Sequence, residues 1–549
     1  MIGAGVRILI CHGYLLRGTG SNQYVQSLAR ALCRQGHNLV VMCQDDDPNL
    51  DFVSVFMRGN PGGTGLEVVW QQETDYPGTC MVLKPDIGGL LPVYVYDNYP
   101  GFTVEEFTDL NDEVLAVYVG ANREALERVI EQFEPEAIQV NHAVMLPCIV
   151  RPVAEKAGVP YFVTIHGSEI EFTIKKDPRY LEFGAEGLAG ARGIIVPSEH
   201  SELVALDIFG PVVDISEKIA FIPHGVDTVL FDIAEQGLAE SVGSLLALVE
   251  ERTAGVAVGD FQGRREEEGA GRDAAGNIER EIEKINALRP DWLPEPDIAG
   301  SLQALAEGNR PFLMFLGKLL ETKGLQCVLA AMPLIMRKHP EACLVVVGFG
   351  ELRGILQLML EALQAGDIRR LRDICEYGNS RYTLTDSAFT PVLTFLEELA
   401  GEGTLDDYLR LCEGLDLSGS VVFTGYLAPE EHRFLLPHAR ALLVPSLAPE
   451  SFGMVATEAM ACGVVPIASY HSGLETALSP LKKAWGSGAD SLLLGTREKL
   501  VFRIAAAARV VLDMSEYSLR EMGIAMRAAV LEEFSWDAVC RRMVELFMS

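Results

Sequence analysis

Apolar residues recur along this chain in two kinds of pattern. Short unbroken runs, "RILI", "NLVVMC", "AIQV", "YFVTIHG", "GIIVPS" and "IAFIPHG", read as strands buried on both faces. Between them lie stretches such as "VQSLARALCRQG", with apolar residues at helical spacing and Gly36 as a helix C-cap. This alternation, from Val6 to about Gly225, predicts a parallel sheet wrapped by helices. A second such pattern opens at "RPFLMFLGKLL" and continues through "ACLVVVGFGE", "VVFTGYL", "RALLVPS" and "GVVPIAS". The chain closes with "FSWDAVCRRMVELFMS", an amphipathic helix that must dock on another element.

Two stretches interrupt the alternation. From about Asp232 to Arg310 the chain turns polar, and "GDFQGRREEEGAGRDAAGNIEREIEK" offers almost nothing to bury, which predicts a loosely helical or disordered insertion. Between Glu351 and Ser420 the periodicity is helical throughout and predicts an excursion on the second domain. The expected organisation is an N-terminal domain over 1–231, a polar linker over 232–310, a C-terminal domain over 311–515 with its excursion at 351–420, and closing helices over 516–549. At 549 residues more than one core is required.

A formal charge of −32 argues against nucleic acid and against adhesion to anionic lipid by bulk charge. No apolar run is long enough for a transmembrane helix, and "MIGAGVRILI" reads as a first strand rather than a basic-headed leader. The eleven cysteines are scattered, without a C-x-x-C pair, and point to buried reduced thiols and a cytoplasmic compartment. The ten histidines are dispersed, so no metal site is expected; Asp45–Asp47 is the one acidic run to weigh against that.

Ligands of doubly wound domains bind outside the carboxyl ends of the strands, so the residues just after each strand carry the candidate chemistry. "RGTGSNQY" follows the first strand as a dinucleotide loop would, yet position 23 holds Gln where the third glycine belongs. What remains is a glycine loop, with Gly20 and Asn22, that aims backbone N–H groups and a helix N-terminus at an anion or a polar ligand. In "LGKLLETKG", Lys318 and Lys323 stand beside a turn into a helix, as a diphosphate would require and as two solvated lysines would equally do. "PSLAPESFGMVATEAMACG" sets Glu450 in a loop and Glu458 on the following helix, with Ser451, Phe452, Gly453, Met454 and Val455 forming the turn between. Carboxylates in that setting accept hydrogen bonds from vicinal hydroxyls. Asn141 and His142 follow "AIQV" and face either an acceptor or a plain turn; Lys175, Lys176 and Arg179 fit a solvated loop better than an anion site.

Taken in order, these motifs resemble the retaining GT-B glycosyltransferases that use nucleotide-sugar donors, the family 4-like group. Glu450 and Glu458 match its E-x7-E motif, Lys318 and Lys323 its paired basic residues, and "TIHGSE" with His166 its T-x-H-G. "IPHGVDTVLF" matches I-P-N-G-V-D with His224 in place of asparagine, and Thr19-Gly20 aligns with the family's glycine loop.

The resemblance implies two Rossmann-like domains facing a cleft, with the C-terminal helix crossing back to the N-terminal domain. It implies a hexosyltransferase that carries a sugar from a UDP-, GDP- or ADP-sugar to a sugar, polyol or glycan hydroxyl, with no cofactor and no metal. Lys318, Lys323, His166 and Glu450 would be catalytic; Gly20 and the 450–458 segment would hold the donor; Asn22, Asn141 and His142 would lie on the acceptor side. A homo-oligomer is compatible with it. Rival readings are an epimerase or phosphorylase on the same architecture, and a non-catalytic sugar-nucleotide sensor.

Overall fold

The computed structural model describes residues 5–18, 20–59, 65–95, 99, 101–254, 274–287, 293–385, 387–495 and 497–549. The chain divides into two compact units, one of Met1–Asp227 with Glu532–Ser549 and the other of Thr228–Leu531.

Unit 1 is built on strands β1 (Arg7–Cys11), β2 (Asn38–Met42), β3 (Val55–Gly59), β4 (Leu66–Gln71) and β5 (Cys80–Lys84). A small separate pair, β6 (Leu90–Val93) and β7 (Thr103–Glu106), precedes β8 (Ala137–Asn141), β9 (Tyr161–Thr164), β10 (Gly193–Val196) and β11 (Ile219–Phe221). The main sheet runs β11-β10-β9-β8-β1-β2-β5-β3-β4, parallel except for the β3–β4 hairpin at its edge. Both faces are covered, which is why the strands read as unbroken apolar runs. Leu9 and Cys11 of β1 enter one core and Ile8 and Ile10 the other.

The second core contains the C-terminal helix. Trp536, Val539, Cys540, Met543 and Phe547 of Trp536–Phe547 pack with Ile8 and Ile10, so the helix predicted to cross back does so. Its entry is fixed by Val226, whose N–H donates to Phe534 O at 2.7 Å and whose carbonyl accepts from Trp536 N at 3.2 Å. Gly225 makes this approach feasible, since a Cβ there would lie 2.3 Å from Trp536 Cδ2.

Unit 2 carries β12 (Phe312–Leu316), β13 (Cys343–Val347), β14 (Val421–Gly425), β15 (Ala441–Val444), β16 (Val465–Ser469) and β17 (Leu493–Leu494) in the order β14-β13-β12-β15-β16-β17, all parallel. The expected excursion is helical, comprising Arg353–Gln364, Ile368–Arg381, Thr390–Gly401 and Leu405–Gly414. It is tied to the helix Leu325–Met336 by the Tyr408 hydroxyl on Ala330 O (2.8 Å) and to the turn Glu321–Lys323 by Glu321, whose Oε1 accepts from Leu384 N at 2.7 Å.

The reading of 232–310 as a linker with little to bury needs correction over its described part. Helices Leu238–Thr253 and Ile298–Glu307 bury Val242, Leu245, Val249, Ile298, Leu302 and Leu305. Ile278 and Ile282 of Ala274–Asn286 are only 2% and 6% exposed. Glu295 N donates to Thr424 O at 2.8 Å, so the segment also caps the edge of β14. Charge dominates the composition here, while a sparse apolar stripe at helical spacing decides the packing. Residues 255–273 lie outside the described residues.

Among the described residues no helix is long and apolar enough to cross a membrane, and all eleven cysteines are buried and unpaired.

Candidate active site

The strand order reverses between β12 and β15 in unit 2, and in unit 1 the run β11-β10-β9-β8 gives way to β1-β2 at the β8–β1 junction. Open α/β sheets bind ligands at such a switch point, outside the carboxyl ends of the strands. The polar residues of each unit gather there.

In unit 2, Gly317 and Lys318 follow β12, and the Lys318 ammonium lies 5.7 Å from the centroid of Phe349. The turn Glu321–Lys323 then ends at Gly324, with φ +75°, where a Cβ would meet Pro445 O at 2.1 Å. Glycine is thus required to bring Lys323 beside the loop that follows β15. Lys323 Nζ donates to Glu450 Oε1 at 2.5 Å, and Ser446 Oγ donates to the same oxygen at 2.7 Å. Burial works to raise the Glu450 carboxyl, but the Lys323 charge and the hydrogen bonds from Lys323 and Ser446 outweigh it and hold it below the usual range.

A chain of hydrogen bonds fixes the Glu450 backbone. Glu450 N donates to Ser472 Oγ (2.9 Å), Ser472 Oγ lies 3.0 Å from His471 Nδ1, and His471 Nε2 lies 3.0 Å from Ser446 O. Because a carbonyl only accepts, His471 carries its proton on Nε2 and its Nδ1 accepts from the serine hydroxyl. Sequence spacing did not single out Ser446, His471 or Ser472. Beside them opens a pocket of about 420 Å³ lined by Ser446, Leu447, Pro449, His471, Gly495 and Arg497, among others.

Gly453 has φ +101°, and a Cβ on it would strike Leu474 Cδ2 at 2.4 Å. The helix Met454–Ala461 that it starts has no side-chain cap and no acidic residue in its first turn, which leaves its N–H groups for an anion. Phe452 is buried beneath the turn, while Ser451, Met454 and Val455 are half-buried. Glu458, one turn on and half-buried, is pushed up to about 7 by burial, so the two glutamates are driven apart in acidity.

In unit 1 the predicted residues converge with several that the sequence did not announce. Gly20, at φ +60°, starts the helix Ser21–Arg34. Thr19 lies outside the described residues. Asn22 is buried, with Nδ2 donating to Arg17 O (2.9 Å) and Oδ1 3.0 Å from His12 Nε2, so it holds a histidine. Asn141 does the same for His166: its Oδ1 lies 2.9 Å from His166 Nε2 and its Nδ2 donates to Gln139 Oε1 and Cys11 O. The Asn141 side chain thus has a supporting place inside the sheet end. His166 packs against Tyr24, His142 and His224; burial, followed by the neighbouring histidines, pushes it well below the ordinary histidine range. Burial lowers His224 to about 4.

The remaining polar candidates are internally satisfied. Asp45 accepts from Leu16 N and Asp47 N, and Asp46 pairs with Lys84 and Arg58, which makes this run a loop organiser. Among the described residues no group of three or more His, Cys, Asp or Glu is placed to hold a metal ion. Lys175 pairs with Glu171, Lys176 with Glu106, and Arg179 with Asp177 and Asp112, as a solvated loop would.

Residues 19–223 match the family described as "Glycosyl transferase 4-like domain", and residues 398–487 match "Glycosyl transferases group 1". Together these segments span more than half of the chain. The chain belongs to the group 1 glycosyltransferases. This glycosyltransferase is similar in fold to sucrose-phosphate synthase from Thermosynechococcus elongatus, with TM-score 0.54 and 18% identity over 99% of this chain and 98% of the other. Anabaena HepE, solved in complex with UDP and glucose, gives TM-score 0.52 and 12% identity over 99% of both chains. The fold is accordingly the two-domain, Rossmann-like GT-B fold. An "uncharacterized glycosyltransferase" of Methanocaldococcus jannaschii is 29% identical over 154 residues, which are 27% of this chain and 36% of that relative. The chain thus matches about a third of that relative's length.

Proposed function

We propose that this glycosyltransferase moves a hexose, with retention, from a nucleoside-diphosphate sugar to an acceptor hydroxyl, and that it does so without a metal ion or cofactor. The observation that carries the proposal is the Lys323–Glu450 pair beside an uncapped helix N-terminus at the switch point of unit 2. The UDP and glucose named for the HepE complex are in keeping with such a donor.

In this reading unit 2 takes the donor. Lys318 and Lys323 stabilise the diphosphate, whose charge grows as the sugar–phosphate bond breaks; stabilising developing charge is typically the largest catalytic contribution. The N–H groups of Gly453 to Val455 add the helix N-terminus. Glu458 accepts from ribose hydroxyls and Glu450 from hydroxyls of the transferred sugar. Lys323 is occupied by Glu450 in the free chain, so the incoming diphosphate competes for it and frees one carboxylate oxygen for the sugar. Retention follows from reaction on one face of the sugar, with the leaving phosphate helping to deprotonate the acceptor. Unit 1 takes the acceptor, and we assign His166 to the hydroxyls of the transferred sugar. Buried unpaired cysteines suit a reducing cytoplasm.

A thermal-shift panel over UDP-, GDP- and ADP-sugars tests the donor, because a ligand stabilises by RT ln(1 + [L]/Kd). Turnover with the sugar that shifts the melt should survive EDTA. No shift with any nucleotide sugar overturns the donor assignment, and loss of turnover restored by Mg²⁺ or Mn²⁺ overturns metal independence.

A further inference from the structure

His142 stands at the switch point of unit 1 in an unusual state. It follows β8 directly, with φ +68°, a left-handed conformation that strains any residue with a Cβ. Its side chain is buried, at 1% exposure. Nδ1 lies 3.2 Å from Oε2 of Glu169, a carboxylate with no exposed surface at all. The other oxygen of Glu169 accepts from Ala143 N and His166 N, each at 3.1 Å. Burial works to raise this carboxyl, but His142 and the hydrogen bonds outweigh it and hold it below the usual range. A carboxylate oxygen accepts, so a His142 ring with a single N–H carries it on Nδ1, facing Glu169. Nε2 then presents a lone pair, and it is a buried nitrogen with no hydrogen-bond partner.

Orphaned buried polar atoms are few in folded proteins and each calls for an explanation. Packing does not require this one, because the backbone strain and the buried carboxylate both serve to hold the ring in place. The rings around it are His166 at 4.6 Å, Tyr94 at 4.7 Å, Tyr14 at 5.7 Å and His12 at 6.2 Å between centroids. All are uncharged near neutral pH: burial pushes His12 down to about 3 and His166 well down, and raises both tyrosines.

We propose that Glu169 is a positioning residue that fixes the Nδ1–H tautomer of His142, so that His142 Nε2 accepts a hydrogen bond from a hydroxyl of a neutral, polyhydroxylated acceptor. The proposal rests on the reading of unit 1 as the acceptor side. A neutral sugar or polyol fits the uncharged aromatic surroundings, and its hydroxyl donor fits an imidazole nitrogen that can only accept.

The test uses two variants of the full chain that spare the fold. Glu169→Gln keeps an oxygen for Ala143 N and His166 N but turns an amide donor toward His142, which reverses the tautomer. His142→Asn tolerates the left-handed backbone and keeps an amide N–H for Glu169 while removing Nε2. Nitrogen-15 spectra of histidine-labelled protein report each tautomer, with His142→Asn assigning the resonance, and are recorded with and without D-glucose, D-fructose and myo-inositol. The expected result is Nδ1–H in the wild type, Nε2–H in Glu169→Gln, and an Nε2 shift with at least one sugar that Glu169→Gln abolishes. With that sugar as acceptor, KM should rise about tenfold or more in both variants, the scale of one unmade buried hydrogen bond. An unchanged tautomer in Glu169→Gln, or an Nε2 that ignores all three sugars, overturns the proposal. Donor thermal shifts on the same samples keep the two readings apart: an intact nucleotide-sugar shift with an unresponsive His142 sinks only this inference, and the converse sinks only the donor reading.

Discussion

Lys323 and Glu450 are 127 positions apart in sequence, yet their side chains meet at 2.5 Å, each delivered by the loop that leaves one of two adjacent strands. Removing the cation therefore has two consequences. Lys323→Ala should lower kcat/KM by about 10²-fold or more, the scale for one preorganised group facing transition-state charge. It should lower kcat as well as donor binding. Lys318→Ala should behave likewise, with losses that do not add, because the proposed donor site sets both lysines on the same phosphates. Steady-state kinetics beside melting curves check this, and normal turnover by Lys323→Ala would move the diphosphate elsewhere.

The same pair predicts an acid limb. A carboxyl held below its unfolded range stabilises the fold above the unfolded value, and that contribution is lost as pH falls through the folded one. Lys323→Ala should flatten the decline of melting temperature below about pH 4.5, the ordinary glutamate value. An unaltered acid profile would show that the pair adds nothing to stability.

Glu458 predicts the opposite slope. Its folded value of about 7 lies above the ordinary 4.5, so its contribution to stability is whole below 4.5 and lost as pH rises through 7. Glu458→Gln should melt higher than wild type at pH 8 and match it at pH 4. Donor affinity of the wild type should improve as pH rises through 7, since the ionised carboxylate is the better acceptor for ribose hydroxyls. Donor affinity that is flat across this range counts against Glu458 as the ribose ligand.

Ile278 separates a packed helix from a solvated linker. At 2% exposure, Ile278→Ala should destabilise by about 2–5 kcal/mol, whereas a surface position would change stability by roughly 0.5 kcal/mol or less. Chemical denaturation of the variant decides between them.

Gly225→Ala should destabilise unit 1 by about 1–3 kcal/mol, because the added methyl must displace the Trp536 ring. Hydrogen exchange should rise first in Trp536–Phe547. Unchanged protection there would mean that the crossing helix is held by other contacts.

Much of this could be read along the chain. Strands such as Arg7–Cys11 and Cys343–Val347 are local apolar runs, and Gly453, Lys323, Glu450 and Glu458 sit at spacings set by single loops and turns. Periodicity and loop chemistry are short-range properties, so composition in a small window determines them. The packing of the described part of 232–310 is not legible in its composition, because its apolar stripe is sparse and its partners are remote: Ile282 O would lie 2.9 Å from a Cβ on Gly354.

What only the tertiary structure decided is the partner that each polar side chain finds. Asn22, Asn141 and His142 looked alike from the sequence, as polar residues after strands. The fold spends the first two on His12 and His166 and sets His142 on Glu169, across 27 positions of chain. Hydrogen-bond partnership depends on which strand ends are adjacent, and strand order arises from crossovers that no local pattern encodes. Sequence alone thus determined the two sheets and the lysine–glutamate motif, while the parallel pairing of β8 with β1 and β9 assembled the buried histidine cluster.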